Sequence, residues 1–300
     1  MLRISTNPLD ASAWETAVDL DTSFGLELYT YSNPVQLTDE TNDPIYLFFR
    51  SGNGAGAAQY YAKSDDGGGT WAAPVQWLVA AAGRPYLKLA KTSESRIDFL
   101  ITNGHPTSIS TSLYHGYYEA GNWYQSDGTL VGDVGDMPFA PSDFTLVYDG
   151  STVRGWDWDI ARGADGHPRV LFAIFPETTD HRYYYGRWTG TAWVTTEICT
   201  GGTHLYADER YYSGGLSFDH DTPDRVFASR ESGGAWNIWR YTTTDNGVTW
   251  AGTALTTGSG TRIRPYVVAG ASEPKLLYLS GTYTTYSDYN MRIVIVRSDV

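Results

Sequence analysis

The stretch KSDDGGGTW, residues 63 to 71, returns in altered form as YTTTDNGVTW, residues 241 to 250. Both carry the frame Ser/Thr-x-Asp-x-Gly-x-Thr-Trp, each after an apolar-aromatic run (AAQYYA, NIWRY) and before a short run able to pair back with it. That pattern reads as a hairpin turn. Asp66 and Asp245 can accept hydrogen bonds from the backbone amides just ahead of them, while Gly68 and Gly247 take positive φ at no steric cost. Trp71 and Trp250 then fold back over the hairpin base.

Working outward from the turns, five second-strand runs recur at intervals of roughly fifty to seventy residues: DPIYLFFR from Asp43, SRIDFLITNGHP from Ser95, HPRVLFAIFP from His167, PDRVFASR from Pro223 and EPKLLYLSG from Glu273. Each follows a partner run (YSNPVQL, RPYLKLA, WDWDIA, YYSGGLSF, RIRPYVVA) and precedes a third strand (QYYAKS, SLYHGYYEA, HRYYYGRW, NIWRYTT, MRIVIVRS). The 300 residues include 32 Gly, 11 Trp and 23 Tyr, and no long segment holds a helical period, so the chain reads as all-β.

The turn frame resembles the Asp-box of the bacterial neuraminidase repeat, a structural turn of β-propeller blades. With the five hairpins, the resemblance implies a single propeller domain over residues 1–300, with five blades as the main expectation. A six- or seven-bladed propeller, or a fragment of one, is the alternative. Residues 2 to 20 look like a third and a fourth strand around a degenerate Asp-box, and are expected to complete the last blade and cover its edge. In that family the box lies on the rim away from the active site, so neither copy is expected to be catalytic.

A formal net charge of −13 argues against nucleic acid as a partner, because neutralising phosphates takes clustered Lys and Arg. No apolar run is long enough to cross a bilayer, and Met1-Leu2-Arg3 is not followed by the apolar stretch of a signal peptide. The expectation is a monomer without membrane contact, extracellular or phage-associated. The single Cys199 excludes an internal disulfide and reads as a small buried residue. No cofactor is implied. FDHDTPD (Phe218 to Asp224) and DWD (Asp157 to Asp159) offer oxygen ligands for a structural Ca²⁺, although such acids more often cap backbone amides.

In a propeller the starts of the first strands share a rim with the loops joining second to third strands. Those positions collect Arg50, Arg84, Tyr86, His105, Trp156, Asp157, His181, Arg182, Arg210, Tyr211, Tyr212, Arg230, Arg264 and Tyr266, while the Asp-box turns fall on the opposite rim. Arg offers two-pronged binding to carboxylate or sulfate and Tyr a flat surface for sugar rings, so an acidic saccharide is the expected partner.

The strings TNGHP with SLYHGYYEAGNWY, WDWDIARGADGHPRVLF with DHRYYYGRW, and ERYYSGGLSFDHDTPDRVFASRE are similar to the propeller polysaccharide lyases that cut uronate-containing polymers, ulvan lyases among them. The likeness covers most of the chain from about residue 29 onward. It implies β-elimination on an acidic polysaccharide, which requires neutralising the uronate carboxylate, removing the C5 proton and protonating the departing oxygen. By resemblance His105 is neutraliser or base and Arg182 grips the carboxylate or polarises a Tyr, supported by Tyr184, Tyr211 and Arg210. His105 and Arg182 should then share one pocket opposite Trp71 and Trp250. The second His of that group is missing where Arg84 to Tyr86 stand. His115 and His167 read as structural, and His204 and His220 receive no role.

The alternative is a non-catalytic glycan-binding propeller such as a phage or surface adhesin. A sialidase or another glycosidase fits less well. The Asp-box suggests a sialidase, but the early Arg-Ile-Pro segment of those enzymes does not occur, and Arg262-Ile263-Arg264-Pro265 comes late.

Overall fold

The computed structural model describes residues 3, 5–7, 12–17, 20, 24–270 and 276–296. It is an all-β propeller of five blades, each an antiparallel sheet. Blade one is β1 (Thr30–Gln36), β2 (Ile45–Ser51), β3 (Ala58–Ser64) and β4 (Val75–Leu78). Blade two holds β5 (Leu87–Ser93), β6 (Arg96–Thr102), β7 (Leu113–Glu119), β8 (Asn122–Gln125) and β9 (Leu130–Gly132), and its upper half pairs β7 with β10 (Thr145–Tyr148). Blade three is β11 (Gly155–Arg162), β12 (Pro168–Glu177), β13 (Asp180–Trp188) and β14 (Trp193–Gly202). Blade four is β15 (Leu216–Phe218), β16 (Arg225–Ser232), β17 (Ala235–Thr242) and β18 (Ala251–Ala254), and blade five β19 (Thr261–Val267), β20 (Leu276–Tyr283) and β21 (Tyr289–Val296). The five hairpins and their third strands fall where the sequence puts them.

The core lies between blades, because alternate side chains of a strand point to opposite faces and each face needs a neighbour. Phe48 of blade one meets Phe99 of blade two at 5.4 Å between ring centroids, and Trp77 stands 5.0 Å from Phe99. Tyr46 and Tyr118 share a hydroxyl hydrogen bond of 2.6 Å across the same boundary. Leu100, Val170 and Phe172 seal blades two and three, and Tyr183, Phe218 and Tyr241 blades three and four.

Both Asp-boxes close alike. Asp66 accepts from Thr70 N at 2.8 Å, Thr70 Oγ1 at 2.6 Å and Ser64 Oγ at 2.8 Å. Asp245 accepts from Thr249 N at 2.9 Å, Thr249 Oγ1 at 2.6 Å and Thr243 Oγ1 at 2.8 Å. Gly68 and Gly247 have φ of 94° and 82°, and each tryptophan indole N–H donates to that glycine's carbonyl, Trp71 at 3.1 Å and Trp250 at 3.2 Å. At Gly247 a Cβ would stand 2.2 Å from the Tyr185 ring, so only glycine fits.

Among the described residues the expected strand completion of the last blade is not seen. Much of residues 2 to 20 lies outside the described residues; among those described, Ser5 bridges only Trp14, and β21 pairs only with β20. Leu20, Phe24, Leu26 and Tyr29 pack instead on Leu47, Phe49 and Tyr60, covering the outer face of blade one.

Asp66 and Asp245 are both held down to about 2 from 3.8, first by the threonine hydroxyl bond. Their stabilisation is therefore full above pH 3.8 and lost as pH falls through about 2. The double variant Asp66→Ala/Asp245→Ala should melt lower than the native chain at neutral pH, with the gap closing in acid; calorimetry across that window checks it.

Candidate functional site

The rim opposite the Asp-boxes is built from the second-to-third strand loops and the segments leading into the first strands. Arg50 stands next to last in β2, before Ser51, Tyr86 precedes β5, His105 stands in the loop after β6, Trp156 is the second residue of β11, and Glu209, Tyr211 and Tyr212 precede β15. Their aromatic rings form one continuous surface. Tyr31 meets Tyr86 at 5.7 Å, Tyr86 meets Trp156 at 5.1 Å, and Trp156 meets Tyr212 at 5.4 Å. His105 packs into this surface at 5.0 Å from Trp156 and 5.5 Å from Tyr86.

Two guanidinium groups are held by rings rather than by acids. Arg50 lies 4.8 Å from the Tyr31 ring and 5.0 Å from that of Tyr86, and its buried Nε and Nη1 have no hydrogen-bond partner among the described residues. Arg264 lies 4.6 Å from Trp158 and 4.2 Å from Tyr212, and its buried Nη2 is likewise unpartnered. Arg154 covers Tyr211 at 4.4 Å and donates to the Pro106 carbonyl, while Arg84 donates to Ser108 Oγ at 3.1 Å. Among the described residues none of these four arginines forms an ion pair with a carboxylate. A cation–π contact of a desolvated Arg stabilises by about 2 kcal/mol and leaves its N–H groups free for an anion.

His105 is buried, and its Nδ1 accepts from Thr107 N at 3.1 Å. The ring proton of the neutral form is thereby fixed on Nε2, which points to Glu209 Oε2 at 3.8 Å, and Thr107 Oγ1 holds the other oxygen of that carboxylate. Burial first, then Arg84 and Arg50, push His105 down to about 4. It is a neutral donor near pH 7 and not a proton acceptor at Nε2.

Below this surface an axial cavity of about 600 Å³ touches all five first strands, with Tyr31, Lys88, Trp158, Ser217 and Arg264 in its wall. An adjoining cavity of about 90 Å³ shares Tyr31, Lys88, Trp158 and Arg264 with it and is lined also by Tyr86, Trp156, Asp157 and Tyr212. Asp157 is fully buried there with both carboxyl oxygens unpartnered among the described residues, and burial raises it to about 6 against the pull of Lys88.

Several predicted residues go elsewhere. Arg182 does not meet His105: its guanidinium is taken by Asp180 at 2.8 Å and Glu197 at 3.4 Å, and the Tyr184 hydroxyl donates to that same Glu197. Along β13 the side chains alternate, so Tyr183 fills the blade three to four core while Tyr184 packs on the blade two to three cluster. His181 is buried against Phe175 and bonded to the Arg210 carbonyl at 3.0 Å, and Arg210 itself is exposed. Arg230 lies over Trp239 and donates to Thr200, and the exposed Tyr266 borders the axial cavity. Of the acids considered for Ca²⁺, Asp159 is engaged with His220 and Phe218 N and Asp219 with Arg225, whereas Asp157 is buried with its oxygens unpartnered among the described residues. No group of three metal-ligating side chains occurs among the described residues. Sequence reasoning missed Tyr31, Arg154, Trp158 and Glu209. Tyr31 had a signal, since it opens its blade's YSNPVQL run much as Tyr86 does RPYLKLA; Glu209 had none beyond its place beside Arg210.

The chain belongs to the BNR repeat-containing family, whose sequence pattern it matches over residues 1–200. It is similar in structure to an ulvan lyase, a polysaccharide lyase bound to -[GlcA(1-4)Rha3S]-, with a TM-score of 0.72 and 17% identity over 98% of this chain and 69% of that one. A Penicillium chrysogenum α-L-arabinanase complexed with arabinobiose follows at a TM-score of 0.54 and 12% identity, covering 95% of this chain and 81% of that one. A Hadza microbial sialidase gives 0.52 and 12%, covering 86% and 53%. These identities carry the propeller fold. No curated protein matches the chain.

With a folded value of about 4 against 6.5 unfolded, His105 removes stability as pH falls from 6.5 through about 4. Its imidazole signal in NMR should titrate near the lower value, and His105→Gln should flatten that part of the stability curve.

Proposed function

We propose that the protein is a carbohydrate-active propeller that takes an acidic, uronate-containing polysaccharide into the cleft around His105 and cleaves it by β-elimination. The observation that carries this reading is the pair Arg50 and Arg264, each stacked between two rings with buried N–H groups open, in a chain of net charge −13. A positive cleft in an acidic protein selects an anionic ligand, and the ring surface suits a sugar. The structural likeness to a lyase bound to a glucuronate-containing saccharide agrees with that ligand class.

Arg50 and Arg84 hold the carboxylate, and His105 Nε2–H donates to it, which acidifies the C5 proton. Tyr86, whose ring lies 5.0 Å from the Arg50 guanidinium, accepts that proton on its phenolate oxygen and returns it to the leaving glycosidic oxygen. The sugar electrons form the C4–C5 alkene, and no water is consumed. Glycan binding without catalysis is the second reading, favoured because no second histidine stands beside His105 among the described residues.

Ulvan, pectin, alginate and glycosaminoglycans are incubated in turn, and the ultraviolet absorbance of the unsaturated product is followed. At least one should respond, and Tyr86→Phe should abolish the gain while keeping affinity. Arg50→Ala should weaken an acidic oligosaccharide roughly ten- to hundredfold, the equivalent of about 1.5–3 kcal/mol for a charge-assisted contact, and leave a neutral one unchanged. Binding without absorbance selects the second reading. No affinity for any acidic saccharide overturns both.

A further inference from the structure

Away from the arginine cleft, a hydroxyl, an imidazole and a carboxylate stand in line between blades two and three. Ser126 Oγ lies 2.8 Å from His115 Nδ1, and His115 Nε2 lies 3.1 Å from Asp98 Oδ1. Proton positions follow from the neighbours. Trp193 Nε1 can only donate, and it reaches Ser126 Oγ at 2.9 Å, so the serine hydroxyl is free to donate to His115 Nδ1. Arg96 grips Asp98 through Nη2 at 2.6 Å and Nε at 2.8 Å, and Thr92 Oγ1 donates as well, so Asp98 is an ionised acceptor for His115 Nε2–H. Asp98 and His115 are fully buried, which fixes both side chains.

The serine end of this line is not sealed. Ser126 borders a cavity of about 330 Å³ with Arg96, Tyr117, Gly128, His167 and Trp188. Gly166 and Gly190, also in its wall, belong to the β11–β12 and β13–β14 turns, so the cavity opens on the Asp-box rim, opposite His105. A network needed only to satisfy buried polar groups has no reason to end in a hydroxyl at a cavity wall. The geometry points to a second, hydrolytic site, in which Ser126 is the nucleophile, His115 the general base and Asp98 the positioning residue, acting on a carboxylic ester with a small acyl group.

In the first half-reaction the Ser126 proton passes to His115 Nδ1 as Oγ bonds to the acyl carbon, and the leaving alkoxide departs as an alcohol with that proton. In the second, water attacks the acyl-serine through His115, releasing the carboxylic acid and restoring the hydroxyl. The sum is ester plus water to acid plus alcohol. Trp193 Nε1–H, which among the described residues serves only the serine oxygen, can donate to the carbonyl oxygen as it gains charge. Burial keeps His115 below its usual range and therefore neutral and ready to accept a proton at pH 7.

The test uses the whole chain and an alkyl fluorophosphonate. The intact protein should gain one phosphonyl group, mapped to Ser126 by fragmentation, and should hydrolyse p-nitrophenyl acetate at a rate that Ser126→Ala lowers at least about a hundredfold. Melting temperature and acidic-saccharide binding of that variant report on its folding. Excess probe leaving wild-type Ser126 unlabelled overturns the proposal, as does ester hydrolysis unchanged in a folded Ser126→Ala. Either failure leaves the arginine cleft on the other rim untouched.

Discussion

The structure depends on aromatic packing between sheets. A propeller blade has two faces and can bury neither against itself, so each boundary must be filled by large apolar side chains that bridge about 10 Å, aromatic rings foremost. Phe48, Trp77 and Phe99 do this between blades one and two, and Tyr185 under Trp250 does it between blades three and four. Once the apolar residues are committed to these boundaries, the strand ends and loops are left to carry polar chemistry. The two rims then become separate surfaces with separate charge.

On the Asp-box rim the acids are used locally. Asp66 and Asp245 spend their oxygens on the threonine and serine of their own turns, which satisfies backbone and hydroxyl donors without a cation. On the other rim the arginines find rings instead of acids. Arg50, Arg154 and Arg264 each lie over tyrosine, and Arg264 over Trp158 too, so a protein of net charge −13 keeps a concentrated positive cleft. Arg182, paired with Asp180 and Glu197, shows what the same side chain does when carboxylates are in reach.

Two buried histidines show how one hydrogen bond assigns a role. Both are pushed below the usual imidazole range by burial, and both are neutral near pH 7. At His105 the backbone N–H of Thr107 occupies Nδ1 and leaves Nε2–H as a donor toward Glu209. At His115 the hydroxyl of Ser126 occupies Nδ1, and Asp98 takes Nε2–H, which makes Nδ1 the basic nitrogen. The neighbours of each ring, rather than the ring itself, set what it can do.

The sequence by itself determined the repeat. Asp-x-Gly-x-Thr-Trp is a local code, satisfied within eight residues, and the paired runs before and after it carry their period in the chain, so five hairpins and the all-β class could be read directly. It also placed Arg50, Arg84, Tyr86, His105, Trp156, Tyr212 and Arg264 on one rim, because strand direction follows from hairpin order. What it could not decide was which neighbours those side chains meet. Arg182 is taken by Asp180 and Glu197, and Leu20, Phe24, Leu26 and Tyr29 pack on blade one, where Phe49 and Tyr60 offer apolar surface. Ser126, His115 and Asp98 belong to three strands or turns of one blade, and Trp193 to the next. Such contacts depend on sheet register and blade packing, which bring together residues too far apart in the chain for any local pattern to join.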